Sequence, residues 1–440
     1  MNLLSRGIFV LASIVVWSIV TSPAASAAGV VGTGTPDSCD SNVFGMALAG
    51  GGTVSFNCGE APHTILAPTN VIQDDTTILG DNKIILTGEH VRQLFIVEEG
   101  KSLTLQDITL LDGESTPGGC ISVNVNSRLV THNVIFRGCR DTSGLLGGGA
   151  VYNLGTFTAT HTLFEGNHAD RNGGAVFNRG TFSTFFVLFD ANTAGNRSGA
   201  IENRGDGMVL VNDSTFRGNQ AQDGGGAIGN MLSVPTTTGS FTIRRSLFVD
   251  NSSLASGGAV TNEAGVMVIE NSTFARNTSN QGGGVYSTST AHTTIQFSTF
   301  SGNRADTGGA IYRPLTGLVQ LGTSIVAGSS NEAGSTDQLE CDGPLLVSLG
   351  YNLIEDGSCI DGSSGTDIRN ESPQLGELLD NGGFSLTLLP GDTSPALDKV
   401  PADQCTARDQ RFAMRSCNCD IGAAERGGLL DSAYMPRVAR

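Results

Sequence analysis

Charge is scarce in this chain. Only 15% of its 440 residues are Asp, Glu, Lys or Arg, too few to coat a bundle of amphipathic helices. Lysine is nearly absent, limited to Lys83, Lys101 and Lys399. The net charge of −17 repels a phosphate backbone, which sets nucleic acid aside as a partner. That acidity serves solubility; cation binding is its other reading. Helical periodicity is missing throughout, and no apolar run beyond the N-terminal one approaches the ~18 residues of a membrane span. The one tryptophan, Trp17, lies in that N-terminal run.

The run itself reads as an export signal. Arg6, the apolar stretch 7–20 and the small-x-small pattern Ala25-Ser26-Ala27 predict cleavage after Ala27. The mature chain is then secreted or at the cell surface, has no transmembrane segment, and carries no indole for stacking sugars. Nine cysteines agree with export, because most fall in sequence-local pairs: Cys39/Cys58, Cys120/Cys139 and Cys341/Cys359, with Cys405 near both Cys417 and Cys419. Such pairs predict structural disulfides. Zinc needs tighter, repeated ligand spacing with histidine nearby, so no metal or cofactor is expected.

Glycine is abundant and periodic. "GGAVYN" (148–153), "GGAVFN" (173–178), "GGAIGN" (225–230) and "GGAVTN" (257–262) share one motif, with weaker copies at 118, 198, 282 and 308. Between them Phe-x-x-Asn recurs as Phe164/Asn167, Phe189/Asn192, Phe216/Asn219, Phe248/Asn251, Phe274/Asn277 and Phe300/Asn303, with Phe-to-Phe spacings of 25, 27, 32, 26 and 26 residues. A period in this range marks a repeat architecture. The spacers, such as "MVLVND" and "VMVIEN", are short and β-branched, so they read as strands. Three strands and three corners per repeat make one coil of a right-handed parallel β-helix. The expected fold is all-β, with ten or eleven coils and a C-terminal capping segment.

Each motif residue has a structural task in such a coil. Gly-Gly turns the corner with positive φ and lets successive coils approach closely. Ala fits a narrow bore, Phe stacks on Phe, and Asn at one corner forms an amide ladder like that of cross-β structures. Cys120 takes the Ala position and Cys139 the Asn position of an early coil. At the far end Val326 and Ser329 replace Phe and Asn. The expected organisation is a signal at 1–27, an N-terminal cap and first strands at 28–75, and repeats at 76–330, strongest from 118. A C-terminal segment at 331–426 and a tail at 427–440 follow.

The alternation of GGAxxN with FxxN resembles the repeats of the polymorphic outer membrane protein family, whose passenger regions are parallel β-helices. The string "PQLGELLDNGGFSLTLLPGDTSPALD" (373–398), then "DQR" (409–411) and "CDIGAAE" (419–425), is similar to the choice-of-anchor Q domain of exported bacterial β-helix proteins. Together the two resemblances cover roughly 76–426 and imply a pectin-lyase-like fold at the cell surface. The Q-domain pattern has Gly after DQR where Phe412 stands here. The polymorphic proteins end in a membrane barrel, for which no stretch of this sequence is expected.

Two functions follow. A non-catalytic, adhesin-like scaffold would present a surface to a glycan or a cell-surface protein. A polysaccharide lyase or glycoside hydrolase would need paired carboxylates in a groove or a carboxylate cluster for Ca²⁺ beside a base. Of the polygalacturonase-like strings NTD, DD, GHG and RIK only Asp74-Asp75 appears, ahead of the strong repeats, and pectate-lyase strings are absent. No catalytic residue is therefore assigned, and the scaffold is the preferred reading. Candidate binding residues are Arg179 and Arg204, which follow the motif Asn in adjacent coils, Arg313, which takes the motif's Asn position, and Glu202 and Glu263, near corners of neighbouring coils. His161 and His168 read as solvated corner residues.

Overall fold

The computed structural model describes residues 29–142, 144–231, 239–288, 290–314, 317–331, 339–362 and 364–430. The export signal with its cleavage site and the last ten residues lie outside the described residues. Parallel strands stack into a β-solenoid of about twelve turns, close to the ten or eleven read from the repeats.

One turn shows the construction. Strand a (Val151–Asn153) is followed by strand b (Thr156–Thr160), strand c (Leu163–Glu165) and strand d (His168–Ala169). The two-residue strand d is one more than the repeat suggested. Each strand pairs in parallel with its counterpart in the next turn: Asn153 lies opposite Asn178, Phe157 opposite Phe182, Phe164 opposite Phe189 and Ala169 opposite Ala194. Strands a build one eleven-stranded sheet and strands d a six-stranded one, while b and c share a long bent sheet.

The bend between b and c uses one left-handed residue per turn, including His161, Phe186, Asp213, Arg245 and Asn271, with φ from 48° to 58°. Side chains other than glycine adopt this region reluctantly, so something must hold it. The next residue is serine in five successive turns. Ser214, Ser246, Ser272, Ser298 and Ser324 each donate Oγ–H to the carbonyl two residues earlier, at 2.6 to 2.9 Å. The hydroxyls of the last four also accept the backbone N–H of the preceding serine, at 3.1 to 3.4 Å. This buried ladder was missed in the repeat motif.

The interior is built from identical residues in register. Phe136, Phe164, Phe189, Phe216, Phe248, Phe274 and Phe300 have no exposed surface and stack with centroids 4.6 to 4.8 Å apart. That interval is the strand spacing itself, about 4.8 Å. Beside the stack runs a column of fully buried asparagines. Asn167 Nδ2 donates to Asn192 Oδ1, Asn192 to Asn219, Asn219 to Asn251, Asn251 to Asn277 and Asn277 to Asn303, at 2.9 to 3.0 Å. A second amide column, Asn153, Asn178, Asn203, Asn230 and Asn262, runs along strand a. At the adjoining corner Gly173 has φ 63°, and a Cβ on Gly174 would lie 2.1 Å from Gly199 O, so neither position accepts a larger residue.

Four disulfides secure the ends and margins. Cys39–Cys58 lies beside helix Ser41–Leu48, which places buried Phe44 against Phe56 over the first turn. Cys120–Cys139 closes the turn where the asparagine column begins, and Cys139 N–H donates to Asn167 Oδ1 at 3.0 Å. Cys341–Cys359 closes the last turns; Cys405 pairs with Cys419, leaving Cys417 exposed and free.

At the far end Ser329 N–H donates to Glu340 Oε1 at 3.0 Å, and its hydroxyl donates to Oε2. Glu340 is buried, and that burial pushes its pKa up to about 7. The folded state therefore holds a proton that the unfolded chain has already lost near pH 4.5, so stability falls as pH rises from there through 7. Glu340→Gln should be neutral at pH 5 and stabilising by about 1–3 kcal/mol at pH 8. Denaturant midpoints at the two pH values test this, and an equal change at both would contradict it.

The C-terminal segment does more than close the last turn. From residue 372 it returns along the outside of the bent sheet as a strap. Gly422 N–H donates to Thr323 O at 2.9 Å, Ala423 N–H to Thr299 Oγ1 at 3.0 Å and Thr273 Oγ1–H to Gln410 Oε1 at 2.6 Å. Leu378 packs on Leu247, Val249 and Ala275, and Phe384 meets Phe186 edge-on at 5.3 Å. Inside the strap, Asp409 binds the Arg411 guanidinium at 2.7 Å, and Glu425 binds Arg415 at 3.3 Å, all four nearly inaccessible. Asp409, Arg411 and Glu425 belong to the "DQR" and "CDIGAAE" strings, and Arg415 lies between them. Phe412 has φ 66°, the conformation a glycine would take there, and its ring lies 4.5 Å from the Arg245 guanidinium.

Candidate functional site

The middle residue of each strand a points outward. Register aligns Tyr152, Phe177, Glu202, Gly229, Thr261, Tyr286 and Tyr312 in one column. The corner loops on both sides of this sheet carry most of the candidate binding residues, so the column is the floor between them.

The floor is largely covered by the chain's own side chains. Arg204 Nε donates to Glu202 Oε1 at 2.6 Å, and its guanidinium lies 5.8 Å from the Phe177 ring centre. Ser198 Oγ donates to Glu202 Oε2 at 2.9 Å. Glu202 has no exposed surface, and burial pushes its pKa up to about 6 against the pull of Arg204, Ser198 and Arg197. Arg197, which the repeat did not single out, donates to Asp223 at 2.7 Å and to Glu263 at 3.0 Å. It thereby crosses from the loop before Glu202 to a loop two turns on. The Met231 methyl group sits where a Cβ on Gly229 would be, 2.2 Å away.

Two of the five candidates need correction. Glu202 is fully buried under the two arginines. Arg313 is 8% exposed and donates its guanidinium to the carbonyls of Gly317, Pro344 and Leu345, closing backbone that the asparagine at its motif position could not reach. Neither can meet a ligand directly. Arg179 is exposed beside Tyr152, while Arg204 and Glu263 keep about a quarter of their side chains exposed. Tyr286 and Tyr312 continue the column as half-buried rings 5.8 Å apart.

The acids of this face are held by arginine rather than by one another. Paired catalytic carboxylates need a free pair about 5–10 Å apart, whereas Glu202, Asp223 and Glu263 each have a guanidinium partner. Among the described residues, no group of three or more His, Cys, Asp or Glu is placed to hold a metal ion.

Three stretches of the chain, 161–179, 213–230 and 297–312, match the Chlamydia polymorphic membrane protein (Chlamydia_PMP) repeat family. Each begins at the left-handed residue between strands b and c and runs through the Phe and Asn columns into strand a. The match thus coincides with the segment that carries both internal ladders of the turn. No curated protein and no solved structure matches the chain.

Proposed function

We propose that this chain is an exported surface scaffold, a β-solenoid that holds the loops flanking its a-sheet toward a glycan or protein partner outside the cell. The observation that carries this reading is the agreement between the matched repeat and the turn. Each matched stretch runs through residues that build the rod, from the bend between strands b and c through the Phe and Asn columns into strand a. Four disulfides suit an oxidising compartment, as does an N-terminal export signal. Among the described residues no helix is long and apolar enough to cross a membrane. The strap, similar to a choice-of-anchor Q domain, belongs to the same picture as the part that steadies the C-terminal half of the rod.

The test is binding. The chain from residue 28, immobilised, should retain particular glycans or surface proteins from a defined panel. Arg179→Glu should weaken that retention by about tenfold through one lost charge contact of ~1.4 kcal/mol, with the melting temperature unchanged. Retention of nothing on the panel, or identical retention by the variant, would count against the scaffold reading. Release of reducing ends or unsaturated sugars would favour a polysaccharide-cleaving enzyme instead.

A further inference from the structure

Strand d faces a different side of the rod and carries groups that the scaffold reading leaves unused. In consecutive turns its outward residues are His168, Thr193, Gln220 and Ser252, aligned by register. They line a half-open hollow of about 300 Å³ together with exposed Leu254. The two imidazole nitrogens of His168 are both engaged. Nε2 lies 3.2 Å from Asp170 Oδ1, and Nδ1 lies 2.8 Å from Thr193 Oγ1. His168 was read from sequence as a solvated corner residue; here it links a carboxylate to a hydroxyl.

Carboxylate, imidazole and hydroxyl in that order form the arrangement that activates an alcohol for acyl transfer. In the tautomer whose Nε2–H donates to the Asp170 carboxylate, Nδ1 is unprotonated and accepts from the threonine hydroxyl. Gln220, the next residue in register after Thr193, lines the same hollow. We propose that Thr193, His168 and Asp170 form a hydrolytic site for short-chain acyl esters. The hollow is small and none of the residues lining it is Asp, Glu, Lys or Arg, which suits a short neutral acyl group rather than a long or ionised one.

The reaction balances with water as the only co-reactant. Thr193 Oγ bonds to the ester carbonyl carbon while its proton passes to His168 Nδ1. The alkoxide leaves as the C–O bond breaks and takes that proton. His168 then takes a proton from water, the hydroxide attacks the acyl-threonine, and Thr193 recovers its proton as the carboxylic acid departs. Thr193 and His168 are the catalytic residues, and Asp170 is a positioning residue.

The test uses the chain from residue 28 with p-nitrophenyl acetate and butyrate. Expected are turnover above the buffer rate and, on acid quenching, an acetyl adduct on Thr193 by mass spectrometry. Thr193→Val and His168→Gln should each lower kcat/KM by about 10²–10⁴-fold with unchanged circular dichroism. Asp170→Asn should lower kcat at constant KM, and Asp170→Glu should restore part of it. Hydrolysis that persists in Thr193→Val would mark simple imidazole reactivity and overturn the proposal. So would an adduct elsewhere, or no turnover by the folded wild-type chain. None of these outcomes touches the binding role of the a-sheet, which is read on a different face.

Discussion

Asn219→Ala should destabilise the solenoid by about 3–5 kcal/mol, because buried polar groups left without partners cost about 1–3 kcal/mol each. Asn219 lies mid-column with no exposed surface. Its Nδ2 donates to Phe189 O at 3.0 Å and Asn251 Oδ1 at 2.9 Å, and its Oδ1 accepts both the backbone N–H and Nδ2 of Asn192 at 3.0 Å. Alanine removes all four bonds and leaves their partner groups buried. Asn219→Asp should be no better, since a carboxylate would face the Phe189 carbonyl without a proton to offer. In a repeat structure the damage is felt mainly by neighbouring turns, so guanidinium midpoints should be joined by hydrogen exchange of residues 188–251. A loss below 1 kcal/mol would mean that the column is only a consequence of stacking.

Arg415→Met should cost a comparable amount, about 3–5 kcal/mol, for removing one partner of a buried ion pair. Arg415 donates to Glu425 Oε2 at 3.3 Å, Gly422 O at 2.8 Å and Asn271 Oδ1 at 2.9 Å, and its guanidinium lies over Phe297 at 4.8 Å. Methionine keeps the last contact and abandons the others, leaving Glu425 buried without its cation. Asp420 beside it is already pushed up to about 6 by burial. Because these bonds join the strap to itself and to the rod, the loss should be local. Limited proteolysis should open 372–430 while the turns before Phe186 keep their protection. Uniform loss of protection along the rod would contradict that separation.

The rod was readable because its columns demand the same residue in every turn. Phe, Asn, Ala and Gly recur at one spacing because each stack or ladder is built from like residues in register, with substitutions mainly where a column begins or ends. The serine ladder obeyed the same rule, two residues before each Phe from Ser214 onward, but serine is common in turns and its repetition drew no notice. The strap was harder to place because its contacts, such as Arg415 with Asn271, are single events far apart in sequence and leave no period. The outer face misled for a related reason. Arg204 and Glu202 looked like residues offered to a partner, yet on a sheet surface neighbouring turns sit close enough for opposite charges to satisfy each other. Arg197 shows the same effect over two turns, and only its position beside Ser198, the one first-glycine site occupied by serine (φ 61°), hinted at a special turn.

The turn from Phe216 to Phe248 spans 32 residues where its neighbours span 25 to 27. Its rings nevertheless stack at 4.7 Å and its asparagines bond at 2.9 Å, as elsewhere in the rod. Strand a of this turn ends at Met231 and strand b begins at Ser240, where the turn before has Arg204 and Met208, so the pitch is kept although the two strands are further apart in sequence. The pitch of the rod is thus set by its columns and not by the number of residues between strands, so added length between strands a and b of another turn should leave the Phe and Asn columns in register.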